Sequence, residues 1–123
     1  MRRWPLDKGD LGKTGEQRAV EYLMKNGYRI RERNYRCRSG EIDIIAEESE
    51  YIVFVEVKSR IESINKINPL ISITKEKQRR IRKLGEIFLR HRKVTGYQPR
   101  FDVIGISFIN ECQFELEHIE NAF

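Results

Sequence analysis

Cysteine and histidine are scarce in this chain of 123 residues, which contains two of each. Cys37 and Cys112 lie far apart and form neither a Cys-x-x-Cys pair nor a cluster with histidine, so the sequence indicates neither a disulfide framework nor a zinc site. His91 and His118 also stand outside any ligand-spaced cluster, and we interpret both as surface or hydrogen-bonded histidines. A reducing compartment suits such a chain.

Long apolar runs are missing as well. No segment is long enough to span a bilayer, and no run of signal-peptide length follows the arginines of Met1-Arg2-Arg3. We therefore expect a cytoplasmic protein without a membrane partner. With 39% hydrophobic residues, the chain has the size and composition of one ordinary domain, and we expect residues 1–123 to fold as a single domain.

Basic charge is present, and it is concentrated. The net charge is only +5, but residues 75–93 alone carry nine basic side chains against Glu76 and Glu86. Such a local surface attracts polyanions, of which nucleic acid is the usual one, although it also suits a solubilising helix face. A second group favours the nucleic-acid interpretation: Arg29, Arg31, Arg33, Arg36 and Arg38.

Hydrophobic periodicity and turn residues predict seven elements in the order αβββαββ. Helical spacing of apolar residues predicts helices over residues 13–26, with Thr14 and Gln17 as a capping box, and over residues 74–92, with Thr74 as the cap. Alternating or β-branched runs predict strands over residues 28–35, 41–46, 51–57, 100–108 and 113–119. Residues 61–73 show no clean period, and we interpret them as a loop.

Three charged residues lie within the second and third predicted strands. Glu56 interrupts a β-branched and aromatic run, and Lys58 shares its strand face. A hairpin that turns tightly at Ser49-Glu50 would place Asp43 opposite Glu56, with Cβ atoms about 5 Å apart. Because Ser-Glu is a weak turn sequence, the register could also slip by a pair of residues.

This arrangement suits metal-assisted hydrolysis. Two carboxylates without histidine or cysteine favour Mg²⁺ or Mn²⁺ over zinc. Such a cation with Lys58 suits phosphodiester cleavage, in which the lysine orients the nucleophile or stabilises the developing charge. The alternative is a buried ion-pair network that only fixes the strand register. Glu16 continues the inward stripe of the first helix as a third acid, or it only stabilises the helix dipole.

Several short motifs extend this pattern over nearly the whole chain, and together they resemble the PD-(D/E)XK nuclease superfamily. More narrowly, the chain resembles the bacterial YraN-like family, whose members are regarded as endonucleases. The motifs are Gly15-Glu16, Gly27-Tyr28, Arg33-Asn34-Tyr35-Arg36, Gly40-Glu41-Ile42-Asp43-Ile44-Ile45, Phe54-Val55-Glu56-Val57-Lys58-Ser59-Arg60, Lys77-Gln78 and Arg100-Phe101-Asp102.

The resemblance implies a restriction-endonuclease-like α/β fold, in which helices flank a mixed central sheet, similar to Holliday-junction resolvases. It also implies that Glu16, Asp43, Glu56 and Lys58 are catalytic, with the three acids as metal ligands. Lys77 and Gln78 match positions near the scissile phosphate in related nucleases. With the basic helix, the predicted nucleic-acid contacts are Lys75, Lys77, Gln78, Arg79, Arg80 and Arg82.

We therefore predict a divalent-metal-dependent endonuclease of DNA, with structured or branched DNA as the favoured substrate. Two symmetric incisions in branched DNA would favour a homodimer. The alternatives are a nuclease of RNA, and a non-catalytic nucleic-acid-binding or adaptor protein that keeps the nuclease fold. Arg100 and Asp102 could support the metal site, but we favour a structural ion pair.

Overall fold

The computed structural model describes residue 4, residues 6–62 and residues 73–123. These residues form two helices and five strands, and the predicted order αβββαββ is confirmed. The elements are α1 (Lys8–Lys25), β1 (Arg29–Cys37), β2 (Gly40–Glu48), β3 (Tyr51–Ile61), α2 (Lys75–His91), β4 (Gln98–Phe108) and β5 (Phe114–Ile119).

All five strands form one mixed sheet in the order β1-β2-β3-β4-β5. Neighbouring strands are antiparallel except β3 and β4, which are parallel. A parallel pair needs a crossover connection, and α2 lies within it. Strands β1 and β5 are the two edges of the sheet, and β3 lies at its centre.

Helix α1 begins earlier than the sequence predicted. We expected its start at residue 13, but the helix begins at Lys8 because the carboxylate of Asp7 caps it and accepts a hydrogen bond of 2.8 Å from the Asp10 amide. Gly9 and Gly12 weakened the helical pattern in the added turn. The end agrees with the prediction, since Gly27 adopts the positive φ of 87° that a helix terminus favours.

Each helix covers one face of the sheet with its own apolar core. Ala19 and Leu23 of α1 pack with Val55 and Ile104 on one face. On the other face the predicted stripe of α2, Ile81, Leu84 and Phe88, packs with Phe54 and is confirmed. Burial of each such large side chain contributes about 1.5–3 kcal/mol.

Strand β3 is longer than the sequence predicted. It continues through Lys58, Ser59 and Arg60 to Ile61, and Glu56 and Lys58 share the α2 side of the strand with Phe54. The predicted loop falls mostly on residues 63–72, which lie outside the described residues. Among the helices that the structure describes, none combines the length and the apolar character needed to cross a membrane.

Candidate active site

The β2–β3 hairpin has the predicted register. Glu48 pairs with Tyr51, and the pairing continues to Ile44 opposite Val55. It stops there, one position before Asp43 would face Glu56. The Asp43 carboxylate instead accepts a hydrogen bond of 2.8 Å from the Val57 amide through Oδ2. The two strands therefore form a fork, and the side chain of Asp43 bridges it.

A break in the side-chain alternation of β2 produces this geometry. Ile42 packs in the core beneath α2, whereas Ile44, two residues on, packs in the core beneath α1. On the neighbouring strand, Asn34 lies between the partners of these isoleucines and adopts a positive φ of 53°. Strand β2 is therefore irregular at Asp43. The Asp43 carboxylate points along the sheet toward β3 rather than into either core.

Glu56 lies on the α2 side of the fork and is only 8% exposed. Its Oε1 lies 2.7 Å from Nζ of Lys77, which comes from the first turn of α2. Burial alone would lower the pKa of Lys77, but the hydrogen bond and charge of Glu56 outweigh it and raise this pKa. Burial and the adjacent Lys77 ammonium lower the pKa of Lys58. Two lysines thus accompany the buried glutamate.

Two further carboxylates, those of Glu16 and Glu41, are held beside the fork by hydrogen bonds from Asn34. With its amide oriented so that the nitrogen faces the acids, Asn34 donates to Oε1 of Glu16 at 2.9 Å and to Oε1 of Glu41 at 2.8 Å. Burial and the charge of Glu41 raise the pKa of Glu16. Sequence reasoning gave Asn34 and Glu41 no role, although both belong to the motifs that carry the family resemblance. Glu41 lies two residues before Asp43, and Asn34 lies on the neighbouring strand between the partners of Ile42 and Ile44.

Gly15 brings Glu16 close to the sheet. A Cβ atom at Gly15 would lie 2.9 Å from Cβ of Ser59 and would overlap Oγ of that serine. Helix α1 can therefore rest on β3 at this point only because residue 15 has no side chain. The buried Oγ of Ser59 finds no hydrogen-bond partner among the described residues.

The acids strongly influence one another. The pKa of Asp43 is raised to about 7, first by burial, then by the charge of Glu56, with smaller contributions from Glu16 and Glu41, while the Val57 amide opposes the shift. Like charges at short range disfavour simultaneous ionisation. The site is therefore a concentration of negative charge that a bound cation would relieve.

The donor set fits Mg²⁺ or Mn²⁺ in chemistry and in charge. The side chains that could hold the ion all offer carboxylate oxygens, which hard divalent cations prefer. Within the described ranges, however, no group of three or more acidic, histidine or cysteine side chains is already arranged around a common ion position. Asp43, Glu56 and Glu16 instead each have a partner in the protein. A cation at Glu56 would compete with Lys77.

The predicted nucleic-acid contacts on α2 separate into different environments. Lys77 contacts Glu56 in the acid cluster, which consists of Glu16, Glu41, Asp43 and Glu56. The side-chain amide of Gln78 donates through Nε2 to the Ile73 carbonyl oxygen at 3.2 Å. Arg82 lies over the rings of Phe101 and Phe123. The remaining three, Lys75, Arg79 and Arg80, are exposed, with Arg80 3.9 Å from Glu76.

The residues that we interpreted as structural have internal partners. Nε2 of His118 lies 2.7 Å from Asp102, and Nδ1 of His91 lies 3.3 Å from the Tyr35 hydroxyl, so the interpretation of both histidines as hydrogen-bonded is confirmed. Arg100 and Asp102 form the predicted ion pair at 2.8 Å, and both are buried. Cys37 and Cys112 are free thiols.

Comparison with known proteins gives a consistent result. A family model described as "Uncharacterised protein family UPF0102" matches residues 15–106. A UPF0102 protein of Syntrophus aciditrophicus is 48% identical over 113 residues, which cover 91% of this chain and 87% of that protein. One of Caldicellulosiruptor saccharolyticus is 42% identical over 119 residues (96% and 100%), and one of Persephonella marina is 50% identical over 112 residues (91% and 91%). None of these names states an activity.

Proposed function

The chain belongs to the uncharacterised protein family UPF0102, the YraN-like family, and we propose that it is a cytoplasmic, divalent-metal-dependent endonuclease that hydrolyses DNA. The observation that carries the proposal is the meeting of Asp43 and Glu56 with Lys58 and Lys77 at the fork between β2 and β3. Structured or branched DNA is the substrate form that we favour.

The fold class is part of the same proposal. We place the mixed sheet and its two covering helices in the restriction-endonuclease-like, PD-(D/E)XK superfamily. The support is the chain order of the site: Glu16 on α1, Asp43 on β2, then Glu56 and Lys58 on β3. A fold of this kind hosts many activities, so the nuclease assignment depends on the site itself.

Asp43, Glu56 and Glu16 would hold Mg²⁺ or Mn²⁺. The bound cation would supply a Lewis acid and a water molecule of lowered pKa. Asn34 holds Glu16 in position through its amide. The Val57 amide fixes Oδ2 of Asp43, while Oδ1 has no hydrogen bond from the residues that the structure describes. Burial and the charge of Glu56 raise the pKa of Asp43 to about 7, and a cation held beside this carboxylate would favour its ionised form.

The two lysines supply charge on the α2 side of the fork. Lys58 lies on the same strand face as Glu56 and is suited to orient the attacking water or to stabilise charge on the phosphate in the transition state. Lys77 neutralises Glu56 in the metal-free protein. If Glu56 held a cation, the ammonium of Lys77 would be available for a phosphate oxygen.

A second candidate function is a non-catalytic nucleic-acid-binding protein. The observation that favours it is the internal pairing of the acids, because the Glu56–Lys77 ion pair and the Asp43–Val57 hydrogen bond satisfy these groups without any ligand. In that case the charged cluster would only fix the fork between the strands.

Cleavage assays distinguish the two candidates. Labelled duplex, single-stranded, flapped and four-way DNA, together with an RNA duplex, are incubated with the wild type and with Glu56→Ala in Mg²⁺, Mn²⁺ or EDTA. We expect metal-dependent cleavage that Glu56→Ala abolishes. Glu50→Gln, at the exposed turn between β2 and β3, is the matched control and should cleave like the wild type.

Each result has a defined meaning. Cleavage that persists in Glu56→Ala would indicate a contaminating nuclease. Tight, salt-sensitive binding without cleavage in any metal would favour the binding protein. Cleavage of RNA alone would support metal-dependent phosphodiester hydrolysis and change the proposed substrate from DNA to RNA.

A further inference from the structure

The two edges of the sheet carry opposite charge. Residues 29–38, which contain edge strand β1 and the turn after it, hold five arginines and one glutamate. Residues 111–120, which contain edge strand β5, hold four glutamates and no lysine or arginine. A polyanion that approaches the sheet is therefore attracted to the β1 edge and repelled from the β5 edge.

The arginines of the β1 edge are not equivalent. Arg29 and Arg31 lie at its beginning, and both contact the buried carboxylate of Glu47 at 3.0 Å. Arg36 and Arg38 lie at the other end, next to the turn. The Arg36 side chain is 75% exposed and its ion pair with Glu41 measures 3.3 Å, and Arg38 is exposed. An exposed pair of this kind is weak enough for phosphate to replace the carboxylate.

This end of β1 lies beside the acid cluster. Glu41, the partner of Arg36, shares the Asn34 amide with Glu16. The turn also rests on α2, because the position of a Cβ atom on Gly40 is 3.5 Å from Cδ of Arg80. Phosphates held by Arg36 and Arg38 would thus lie next to the candidate catalytic residues.

The outward face of α2 is less suited to hold a phosphate next to the candidate catalytic residues. Lys83 and Arg90 are exposed and lie on the opposite side of the helix from Ile81 and Leu84, which pack against the sheet. Their charges can raise the general attraction for nucleic acid. A phosphate bound to them would, however, be separated from Glu56 by the helix itself.

We propose that Arg36 and Arg38 at the β1–β2 turn hold the phosphate backbone of duplex DNA beside the acid cluster. This inference rests on the proposed function, because it assigns the substrate contact of the same site. Each arginine neutralises one backbone phosphate and releases counterions, so the two together should account for about 2 units of the slope of log K against log salt concentration.

Binding of a fluorescently labelled DNA duplex, measured by anisotropy over a range of salt concentrations in EDTA, tests the inference. Arg36→Gln/Arg38→Gln is compared with Lys83→Gln/Arg90→Gln, which removes the same charge from the outward face of α2. We expect the turn variant to lose roughly tenfold in affinity and about 2 units of slope, and the α2 variant to lose less of both. Thermal unfolding verifies that both variants are folded.

Two outcomes overturn the inference, and they are distinguishable. If the wild type binds and cleaves DNA but the α2 variant loses as much affinity and slope as the turn variant, or more, the turn is not the principal contact and the proposed function stands. If the wild type shows no salt-dependent binding to any nucleic acid, the inference and the proposed function fail together.

Discussion

Nζ of Lys77 lies 2.7 Å from Oε1 of Glu56, where it occupies one of the carboxylate oxygens that a divalent cation would need. Lys77→Met removes this competitor, and we expect Mn²⁺ to bind more tightly by about 1 kcal/mol, roughly fivefold. Isothermal titration calorimetry on the apoprotein measures the change directly and does not depend on turnover.

Lys77→Arg is the control for that experiment, because it keeps the positive charge beside Glu56. Its Mn²⁺ affinity should remain near that of the wild type. Equal affinities in Lys77→Met and the wild type would mean that Lys77 and the cation do not share this carboxylate, and that the metal lies elsewhere in the fork.

Lys58 should matter for cleavage far more than for binding. It is one cation among many basic side chains, so Lys58→Ala removes little of the electrostatic attraction for DNA, but in the proposed function it removes the charge that acts on the reacting phosphate. We expect the single-turnover rate to fall by about 10²–10³ and the Kd for DNA to change by less than about threefold. Lys25→Ala, in the last turn of α1, should change neither. Parallel losses of rate and affinity would make Lys58 a binding residue.

The pKa of Asp43 predicts a pH dependence of stability in the absence of metal. The unfolded chain releases this proton near 3.8, whereas the folded protein holds it up to about 7. Since the native state binds more protons in this window, the free energy of unfolding should fall as pH rises from about 4 to about 7. The expected fall is a few kcal/mol, because each unit of difference between the folded and unfolded pKa corresponds to about 1.4 kcal/mol.

Asp43→Asn isolates that contribution. Asparagine keeps an oxygen that accepts from the Val57 amide but does not ionise, so the variant should lose the decline and be more stable than the wild type at pH 8 without metal. Urea titrations at several pH values measure the difference. Addition of Mg²⁺ at pH 8 should stabilise the wild type and not the variant. Identical pH profiles would show that Asp43 ionises without cost in the folded protein.

Much of the fold followed from local patterns, and the parts that did not have physical reasons. The hairpin register could be predicted because a tight turn at Ser49-Glu50 fixes every later pair. The fork could not, because it depends on the left-handed conformation of Asn34 on a different strand. Lys77 lies four and seven residues before Ile81 and Leu84, so the periodicity of α2 already places it on the packed side of the helix. Its partner Glu56 comes from another element, however, and this contact could not be predicted from local pattern.

The start of α1 shows how glycine can hide a functional feature. Gly9 and Gly12 lower the helical propensity before residue 13, so the sequence suggested a later start, and Gly15 follows within the predicted helix. Gly12 and Gly15 differ in their surroundings. A Cβ atom on Gly12 would meet nothing within 4 Å, whereas one on Gly15 would collide with Ser59. Of these two glycines, only Gly15 is required for α1 to bring Glu16 to the fork.

This contrast gives a matched pair of substitutions in one helix. Gly12→Ala should stabilise the protein by about 0.5–1 kcal/mol, because it reduces the entropy of the unfolded chain and fills open space. Gly15→Ala should destabilise it by about 1–3 kcal/mol, because α1 must move away from β3. Chemical denaturation measures both. Since displacement of α1 also displaces Glu16, Gly15→Ala should weaken Mn²⁺ binding as well.

A compensating change distinguishes steric overlap from a general effect of alanine. Ser59→Gly removes both atoms that the new methyl group would overlap and leaves only an ordinary contact with Ile106, so Gly15→Ala/Ser59→Gly should recover Mn²⁺ affinity relative to Gly15→Ala alone. Stability is the weaker readout here, because glycine within β3 has its own cost. If Gly15→Ala binds Mn²⁺ like the wild type, the close approach of α1 is unnecessary for the site, and Glu16 is not among its metal ligands.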